Sequence, residues 1–259
     1  MILLRRPLAL RSTVLLLACQ LAACVSDDPA SSPQAANTAA AANLQLGSAY
    51  LQQGNLPVAK EKLERAVLQN PRDPAIHGLL ALLYQRLGDD PRVEAEFRTA
   101  LKMAPHDPDL LNNYAVYLCG KGRTDEGVAR FQEAANNPLY RTPWAADTNA
   151  GVCLRGAQRE AEAAPLFKHA LQRRPDYAEA VVQLADLEIS QGQAGAAYKR
   201  VEAFLGANPA SAELLYLGWR AASAQQNKTT SAQLAWRLQT EFPDSEQARS
   251  IAAPHRDPH

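Results

Sequence analysis

Residues 74–107 read PAIHGLLALLYQRLGDDPRVEAEFRTALKMAPHD, and this segment contains the pattern on which most of the chain is built. Leu80 and Tyr84 lie in a first amphipathic run, which the residues LGDD at 87–90 interrupt. Phe97 lies in a second amphipathic run. Apolar residues that recur every three or four positions indicate helices with one buried face. The segment therefore predicts two helices and a turn within 34 residues.

The same pattern recurs along the chain at a period of 34 residues. In the upstream copy the equivalent small and apolar positions are Leu46, Gly47, Tyr50, Ala59, Leu63, Ala66 and Pro71. Downstream, the proline near the end of the unit recurs at Pro175, Pro209 and Pro243. Pro105 and Pro175 are 70 residues apart, two more than two periods. One repeat is therefore predicted to carry a two-residue insertion.

The period, the small residues and the proline resemble the tetratricopeptide repeat (TPR). This resemblance implies an all-α fold, a right-handed α-solenoid of about six TPR helix pairs. The array is expected over residues 40–248, with a frayed tail at 249–259. The repeats are expected at about 40–73, 74–107, 108–143, 144–177, 178–211 and 212–245. Because Pro138 and Pro143 disfavour a continuous helix, we expect an enlarged loop between repeats 3 and 4.

Residues 1–23 are predicted to be a lipoprotein signal peptide. Three arginines precede a short apolar run at 13–18, and LAAC follows at 21–24. The apolar run is too short for a membrane-spanning helix and typical of a secretory signal. LAAC resembles the bacterial lipobox, which implies that Cys24 becomes the acylated first residue, palmitate being a typical acyl chain. The alternative is an ordinary signal peptide, with Cys24 incidental.

The residues after Cys24 predict the destination and a tether. Val25 and Ser26 follow the cysteine, and Asp27 comes too late to match the inner-membrane retention signal of enteric lipoproteins. That resemblance implies a lipid anchor at the periplasmic face of the outer membrane. Residues 24–39 mix Pro, Ser, Asp and Ala, so we expect a lipidated cysteine and a flexible tether. A second match to the lipobox, LLAC at residues 16–19, lies inside the apolar run and is weaker.

Composition and motifs favour a binding protein over an enzyme. The chain has 27 basic and 27 acidic residues, and a chain that starts at Cys24 has a net charge of −3. Without a basic stripe, nucleic acid is not an expected partner. No nucleophile constellation, phosphate-binding loop or zinc ligand set is present, so no small-molecule substrate and no cofactor besides the lipid are expected. His255 and His259 lie in the tail among prolines, which disfavours a metal site.

Cys119 and Cys153 fall in the first helices of consecutive repeats, at positions 12 and 10 of repeats 3 and 4. First helices of neighbouring repeats run side by side, so the two thiols should lie at similar heights. In an oxidising periplasm this arrangement favours a disulfide that staples the two repeats. The alternative is a pair of buried thiols that act as small apolar side chains.

TPR arrays typically bind partners on the concave face, at positions 2, 5, 9 and 12 of the first helices. The residues at these positions are Leu44, Ser48, Leu51, Gly78, Leu82, Gln85, Asp109, Asn112, Val116, Thr148, Val152 and Arg155. The amino-terminal half of this groove is apolar, which suits an amphipathic helix or an extended apolar segment of a partner. The alternative is that Leu44, Leu51 and Leu82 pack against the next repeat.

Repeats 3 and 4 carry a more specific resemblance than the repeat pattern. The motifs are NNY at 112–114, LCG at 118–120, PLY at 138–140, TNAG at 148–151 and, near the end, FPDS at 242–245. They resemble the PilF/PilW family of type IV pilus biogenesis lipoproteins. Cys119 and Cys153 match the cysteine pair of that family, and Cys24 would bear the lipid. Gly127 and the turn at 227–228 depart from the family pattern.

The resemblance implies a pilotin, a lipid-anchored adaptor required for type IV pilus biogenesis. A pilotin carries the pilus secretin to the outer membrane and promotes its multimerisation, so the implied partners are the secretin and the inner leaflet of that membrane. Two other functions remain open at this point. One is a periplasmic TPR adaptor for another cell-envelope assembly system, and the other is an accessory subunit of a peptidoglycan enzyme.

Overall fold

The computed structural model describes residues 33–252, which form thirteen helices and no strand. The helices are α1 Pro33–Gln52, α2 Leu56–Gln69, α3 Pro74–Leu87, α4 Asp90–Met103, α5 Pro108–Gly120, α6 Thr124–Ala135, α7 Pro143–Gly156, α8 Glu160–Arg173, α9 Ala178–Ser190, α10 Ala194–Ala207, α11 Ala212–Ala224, α12 Lys228–Glu241 and α13 Glu246–Ala252. Consecutive helices pack as six pairs, and α13 covers the end of the last pair. None of these helices is long and apolar enough to cross a membrane.

Local sequence explains where the helices begin. Asp73 and Asp107 accept hydrogen bonds from the first backbone N–H groups of α3 and α5, and each is followed by proline at the first helical position. An aspartate cap accepts hydrogen bonds from backbone N–H groups that the helix itself leaves unpaired. Proline suits the first helical position because it has no N–H group, and an N–H group there would have no acceptor within the helix. Asp89 caps α4 in the same way through the backbone N–H of Arg92.

The turn inside each pair needs a left-handed residue after the first helix. Four repeats supply glycine and two supply glutamine, with positive φ at Gly54, Gly88, Gly122, Gln158, Gly192 and Gln226. This one position explains the regular break that interrupts each repeat.

Packing within a pair depends on a large residue at position 24 meeting a small one at position 8. Phe167 is fully buried on α8, and a Cβ at Gly151 would lie 2.5 Å from its ring. Leu63 and Gly47 form the equivalent pair in repeat 1, where a Cβ at Gly47 would lie 2.6 Å from the Leu63 side chain. The small residues therefore let the two helices of a repeat approach closely.

The loop between repeats 3 and 4 is enlarged, as predicted. It spans seven residues, 136–142, whereas the other connections between repeats span four. The Asn137 side chain shapes the loop by donating to the carbonyl oxygen of His106 at 2.7 Å and accepting from the backbone N–H of Leu139 at 2.9 Å. Tyr140 is buried, so the extra residues fold back onto the core.

Both ends of the array are longer than predicted. Helix α1 begins at Pro33, so residues 33–39 are helical and do not belong to a flexible tether. Alanine is the best helix former, which explains helix in a segment that lacks apolar periodicity. The expected frayed tail is wrong for residues 249–252, because α13 extends through them and buries Ala248 against the last pair. The signal peptide, Cys24, His255 and His259 lie outside the described residues.

Candidate partner-binding groove

The first helices form the inner layer of the array. Successive first helices contact one another from α1 to α11, whereas the second helices in the described range contact no second helix of a neighbouring repeat. A layer whose members touch has the smaller radius, so the first helices line the concave face. Helix α13 packs against both α11 and α12 and ends this face at the carboxyl-terminal side.

An apolar row runs through the centre of the groove at position 9. Val116 is 44% exposed and Val152 is 41% exposed. Leu82 precedes them in the row and is half-buried against the amino-terminal core. We call these three residues the central apolar row.

Several other predicted groove residues pack in or against the core instead of lining the groove. Leu51 is 7% exposed and belongs to the amino-terminal core cluster, so it is buried in the core and does not line the groove. Thr148 is 1% exposed, and its hydroxyl donates to the carbonyl oxygen of Trp144 one turn earlier. Leu44 is half-buried against the same core as Leu51. Gly78 is buried, and a Cβ there would lie 2.5 Å from the Leu110 side chain on α5.

The polar members of the predicted set remain accessible to different degrees. Gln85 is exposed and Ser48 is half-buried. Asn112 is half-buried and its side-chain oxygen accepts a hydrogen bond from Asn149 at 3.1 Å. This bond joins α5 to α7 beside the central apolar row.

A disulfide joins Cys119 and Cys153, with 5.6 Å between their Cα atoms. It links α5 to α7 across the enlarged loop, as the alignment of the two positions predicts. Gly127, which departs from the repeat pattern, is explained by this bond. A Cβ at residue 127 would overlap the Cys119 sulfur and lie 3.1 Å from the carbonyl oxygen of Ala115. The glycine makes room for the disulfide.

The carboxyl-terminal half of the groove is charged. Arg155 donates to Asp186 at 2.7 Å and to Gln183 at 2.7 Å. Arg220 donates to the other oxygen of Asp186 at 2.6 Å, so one carboxylate joins α7, α9 and α11. We call Arg155, Asp186 and Arg220 the ionic bridge. Asp186 and Arg220 occupy position 9 of repeats 5 and 6, so extending the groove positions to these repeats would have found them.

The two arginines of the ionic bridge lower the pKa of the Asp186 carboxylate. Burial acts to raise the pKa of Asp186, but hydrogen bonds from both arginines outweigh it and the pKa lies below its usual value. Glu213 lacks such donors. Burial raises its pKa, and the negative charges of Glu179 and Asp186 add to that rise. Within residues 33–252, no group of three His, Cys, Asp or Glu side chains is arranged to hold a metal ion.

Comparison with known proteins agrees with this architecture. Tetratricopeptide repeat family models match residues 44–108 and 154–235. The type IV pilus assembly protein PilF of Pseudomonas aeruginosa is 28% identical over 235 residues, which cover 90% of this chain and 93% of PilF. The solved structure of PilW, described as a widely conserved type IV pilus biogenesis factor, is 28% identical with a TM-score of 0.71 and covers 84% of this chain and all of that one.

The solved structure of P. aeruginosa PilF is similar to the same extent, with a TM-score of 0.70 and 26% identity over 84% of this chain and 98% of that chain. These matches extend over nearly the whole array, including the disulfide-linked repeats 3 and 4 and the charged repeats 5 and 6. The chain is therefore a tetratricopeptide repeat protein related to the type IV pilus assembly protein PilF and the pilus biogenesis factor PilW.

Proposed function

We propose that this chain is an outer-membrane lipoprotein adaptor, a pilotin, needed for type IV pilus biogenesis. It binds the pilus secretin and promotes the localisation and multimerisation of the secretin in the outer membrane. The observation that carries the proposal is the similarity to PilF, a type IV pilus assembly protein, over 90% of this chain. The protein acts by binding and not as an enzyme.

The proposed anchor is a lipid on Cys24. Several acyl chains on one residue hold a protein at a membrane firmly, since each buried methylene contributes about 0.8 kcal/mol. An anchor on the periplasmic face of the outer membrane would bring bound secretin subunits close to one another and to their destination. Such tethering raises the effective concentration of the subunits without any new contact.

The proposed recognition surface is the groove, and above all the central apolar row. Val116 and Val152 are exposed on neighbouring helices, so a partner segment with apolar side chains at helical or alternate spacing would remove both from water. Leu82 extends the row by one repeat, and Leu44, Ser48, Gln85 and Asn112 flank it. Leu51 and Thr148 would support these residues from below.

The test is the content of heat-resistant secretin multimers in outer-membrane fractions, with and without this gene. We expect deletion to remove or mislocalise the multimers, and wild type but not Cys24→Ala to restore them. Cys19→Ala is the matched control, because it changes the cysteine of the weaker lipobox match and should restore the multimers fully. Normal multimers in the deletion strain would contradict the secretin role, and full rescue by Cys24→Ala would contradict the lipid anchor alone.

A further inference from the structure

The disulfide between Cys119 and Cys153 borders an open cavity with a volume of about 430 Å³. Both cysteines line the cavity, and both are half-buried. The other lining residues are small or uncharged, namely Gly122, Thr124, Val152, Gly156 and Ala157. We call this space the disulfide cavity. A disulfide within a closed core is out of reach of other thiols, whereas this one adjoins space that a second molecule can enter.

The disulfide cavity is open because the first helix of repeat 4 ends in residues without bulk. Gly156 is the last residue of α7 and Ala157 follows it, and both are exposed. A Cβ at residue 156 would meet no atom of the described part of the chain within 4 Å. These two residues contribute a single methyl group, so the sulfurs have little cover from this end of α7.

Helix α6 packs against the two sulfurs. A Cβ at Gly127 would overlap the Cys119 sulfur, and the Cys153 sulfur lies 4.0 Å from the carbonyl oxygen of Thr124. Where α6 lies, the bond is covered by protein atoms. The disulfide cavity is therefore the approach for another thiol.

The surroundings of the disulfide cavity suit a thiolate, the form of a thiol that attacks disulfides. Thr124 is the first residue of α6, and among residues 33–252 no side chain caps the amino end of this helix. The partial positive charge of a helix amino end favours a thiolate nearby. The acids in the same turn are neutralised. Asp125 is paired with Arg159. Glu126 is paired with Arg123.

We propose that the bond between Cys119 and Cys153 is a thiol-exchange site, which a dithiol reductant opens in the folded protein. One thiolate of the reductant attacks one of the two sulfurs and forms a mixed disulfide, and the other cysteine leaves as a thiolate. The second thiolate of the reductant then attacks its own sulfur in the mixed disulfide and releases the second cysteine. The dithiol is thus oxidised to a disulfide, Cys119 and Cys153 are reduced to two thiols, and the two protons of the dithiol pass to them.

The exchange acts on the joint between repeats 3 and 4. After reduction, the hydrogen bond from Asn149 to Asn112 and the packing of α5 against α7 remain. The covalent link that holds Val116 and Val152 at a fixed spacing is lost. The redox state of the cysteines therefore controls how firmly the central apolar row is held. The exchange itself does not depend on the proposed function or on the identity of the groove-bound partner.

The test is reduction of the folded, oxidised chain, residues 24–259 with Cys24→Ala, by dithiothreitol. Free thiols are trapped with iodoacetamide and counted by mass spectrometry over time. We expect a rate that is proportional to the dithiothreitol concentration and nearly unchanged by urea below the unfolding transition. Reduction that required unfolding would accelerate steeply with urea, because unfolding exposes a large surface.

A filled variant tests the disulfide cavity as the route. Gly156→Phe places a ring at its mouth and should slow reduction at least tenfold. Gly120→Phe is the matched control, because residue 120 occupies the same position 13 in repeat 3, is exposed, has open space at its Cβ and does not line the cavity. It should be reduced as fast as the parent chain.

Three results would overturn the proposal. The first is a folded protein that dithiothreitol reduces only once urea begins to unfold it. The second is a Gly156→Phe variant that is reduced as fast as the parent, provided that its circular dichroism and urea midpoint match the parent; Gly156→Leu serves if the phenylalanine variant misfolds. The third is equal slowing by Gly120→Phe, which would assign the effect to the loss of a glycine at the helix end and not to the cavity.

Discussion

Neighbouring first helices are linked in different ways in the central and carboxyl-terminal parts of the groove. In the centre, α5 and α7 are joined covalently by Cys119 and Cys153. In the carboxyl-terminal part, α7, α9 and α11 are joined by the ionic bridge. The central helices expose valines toward the groove, whereas the carboxyl-terminal helices present charges that already have partners.

This difference indicates which part is free to recognise another protein. The disulfide links α5 and α7 through position 12 of one helix and position 10 of the other. The residues at position 9 of these helices are therefore not needed to join them. In the carboxyl-terminal part position 9 itself holds the helices, through Asp186 and Arg220. A partner that used these charges would have to break the bonds between them. We therefore propose that the central apolar row recognises the partner, and the predictions below test that division.

The largest expected effect is on stability, from removing the covalent link. Cys119→Ala with Cys153→Ala opens a crosslink between residues 34 apart in the sequence. In the chain-entropy model this costs about 4 kcal/mol of unfolding free energy. Urea unfolding followed by circular dichroism measures it, and wild type under reducing conditions should behave like the variant. A loss below about 1 kcal/mol would show that packing, and not the disulfide, joins repeats 3 and 4.

The second effect is on partner binding. Val116→Asp with Val152→Asp puts two carboxylates into the central apolar row. We expect binding of the proposed partner, the pilus secretin, to weaken about 100-fold, or about 2.7 kcal/mol. Surface-bound secretin periplasmic domain with the variant in solution measures the dissociation constant.

Two controls sharpen this comparison. Ala129→Asp with Ala161→Asp adds the same charge to exposed positions of second helices and should leave binding unchanged. Arg220→Ala alters the ionic bridge and should weaken binding less than threefold. If Arg220→Ala weakens binding more than the two valine substitutions together, the charged half of the groove is the recognition surface and the division proposed above is wrong.

The third effect concerns the fit between Gly127 and the disulfide. In the oxidised protein, Gly127→Ala brings a methyl group into the Cys119 sulfur and should cost about 2 kcal/mol, because overpacking forces neighbours to move. Without the sulfurs, in the Cys119→Ala and Cys153→Ala background, the same substitution should cost much less, since alanine is about 1 kcal/mol better than glycine in a helix. A double-mutant cycle from urea unfolding gives the coupling. An equal loss of unfolding free energy in both backgrounds would show that the disulfide is not the reason for glycine at position 127.

The sequence predicts the repeat fold well because its signals are local and periodic. A proline such as Pro105 and a small residue such as Gly47 recur at fixed spacing, so each repeat is read independently of the others. The disulfide follows from the same register, because positions 12 and 10 of consecutive first helices lie at similar heights on neighbouring helices. The ends are less predictable. Alanine-rich residues 33–39 have no apolar period, and their helix follows from propensity alone.

The groove is predicted less well, for a physical reason. The position within a repeat predicts which way a side chain points, but not how deeply it is buried. Leu51 and Thr148 occupy groove positions and are nevertheless buried by their neighbours. The ionic bridge depends on side chains from three helices, which no single repeat reveals.

The smallest expected effect tests the ionic half of the comparison. Asp186→Asn removes the charge that joins Arg155 and Arg220, and because the group is partly exposed we expect a loss of only about 1 kcal/mol at pH 7. The pKa of Asp186 lies below its usual value in the folded protein. The stabilisation is therefore fully present above the unfolded pKa of about 3.9 and is lost as pH falls through the lower folded pKa.

The difference between the urea midpoints of wild type and Asp186→Asn should therefore be largest at pH 7 and smaller at pH 3. Asp176→Asn, which breaks an exposed pair with Arg174, is the control and should have no measurable effect at either pH. A gap that persists or widens on acidification would mean that the Asp186 side chain acts through packing and not through its charge. In that case the two halves of the groove would differ in surface chemistry alone, and the charges at position 9 would be free to meet a partner after all.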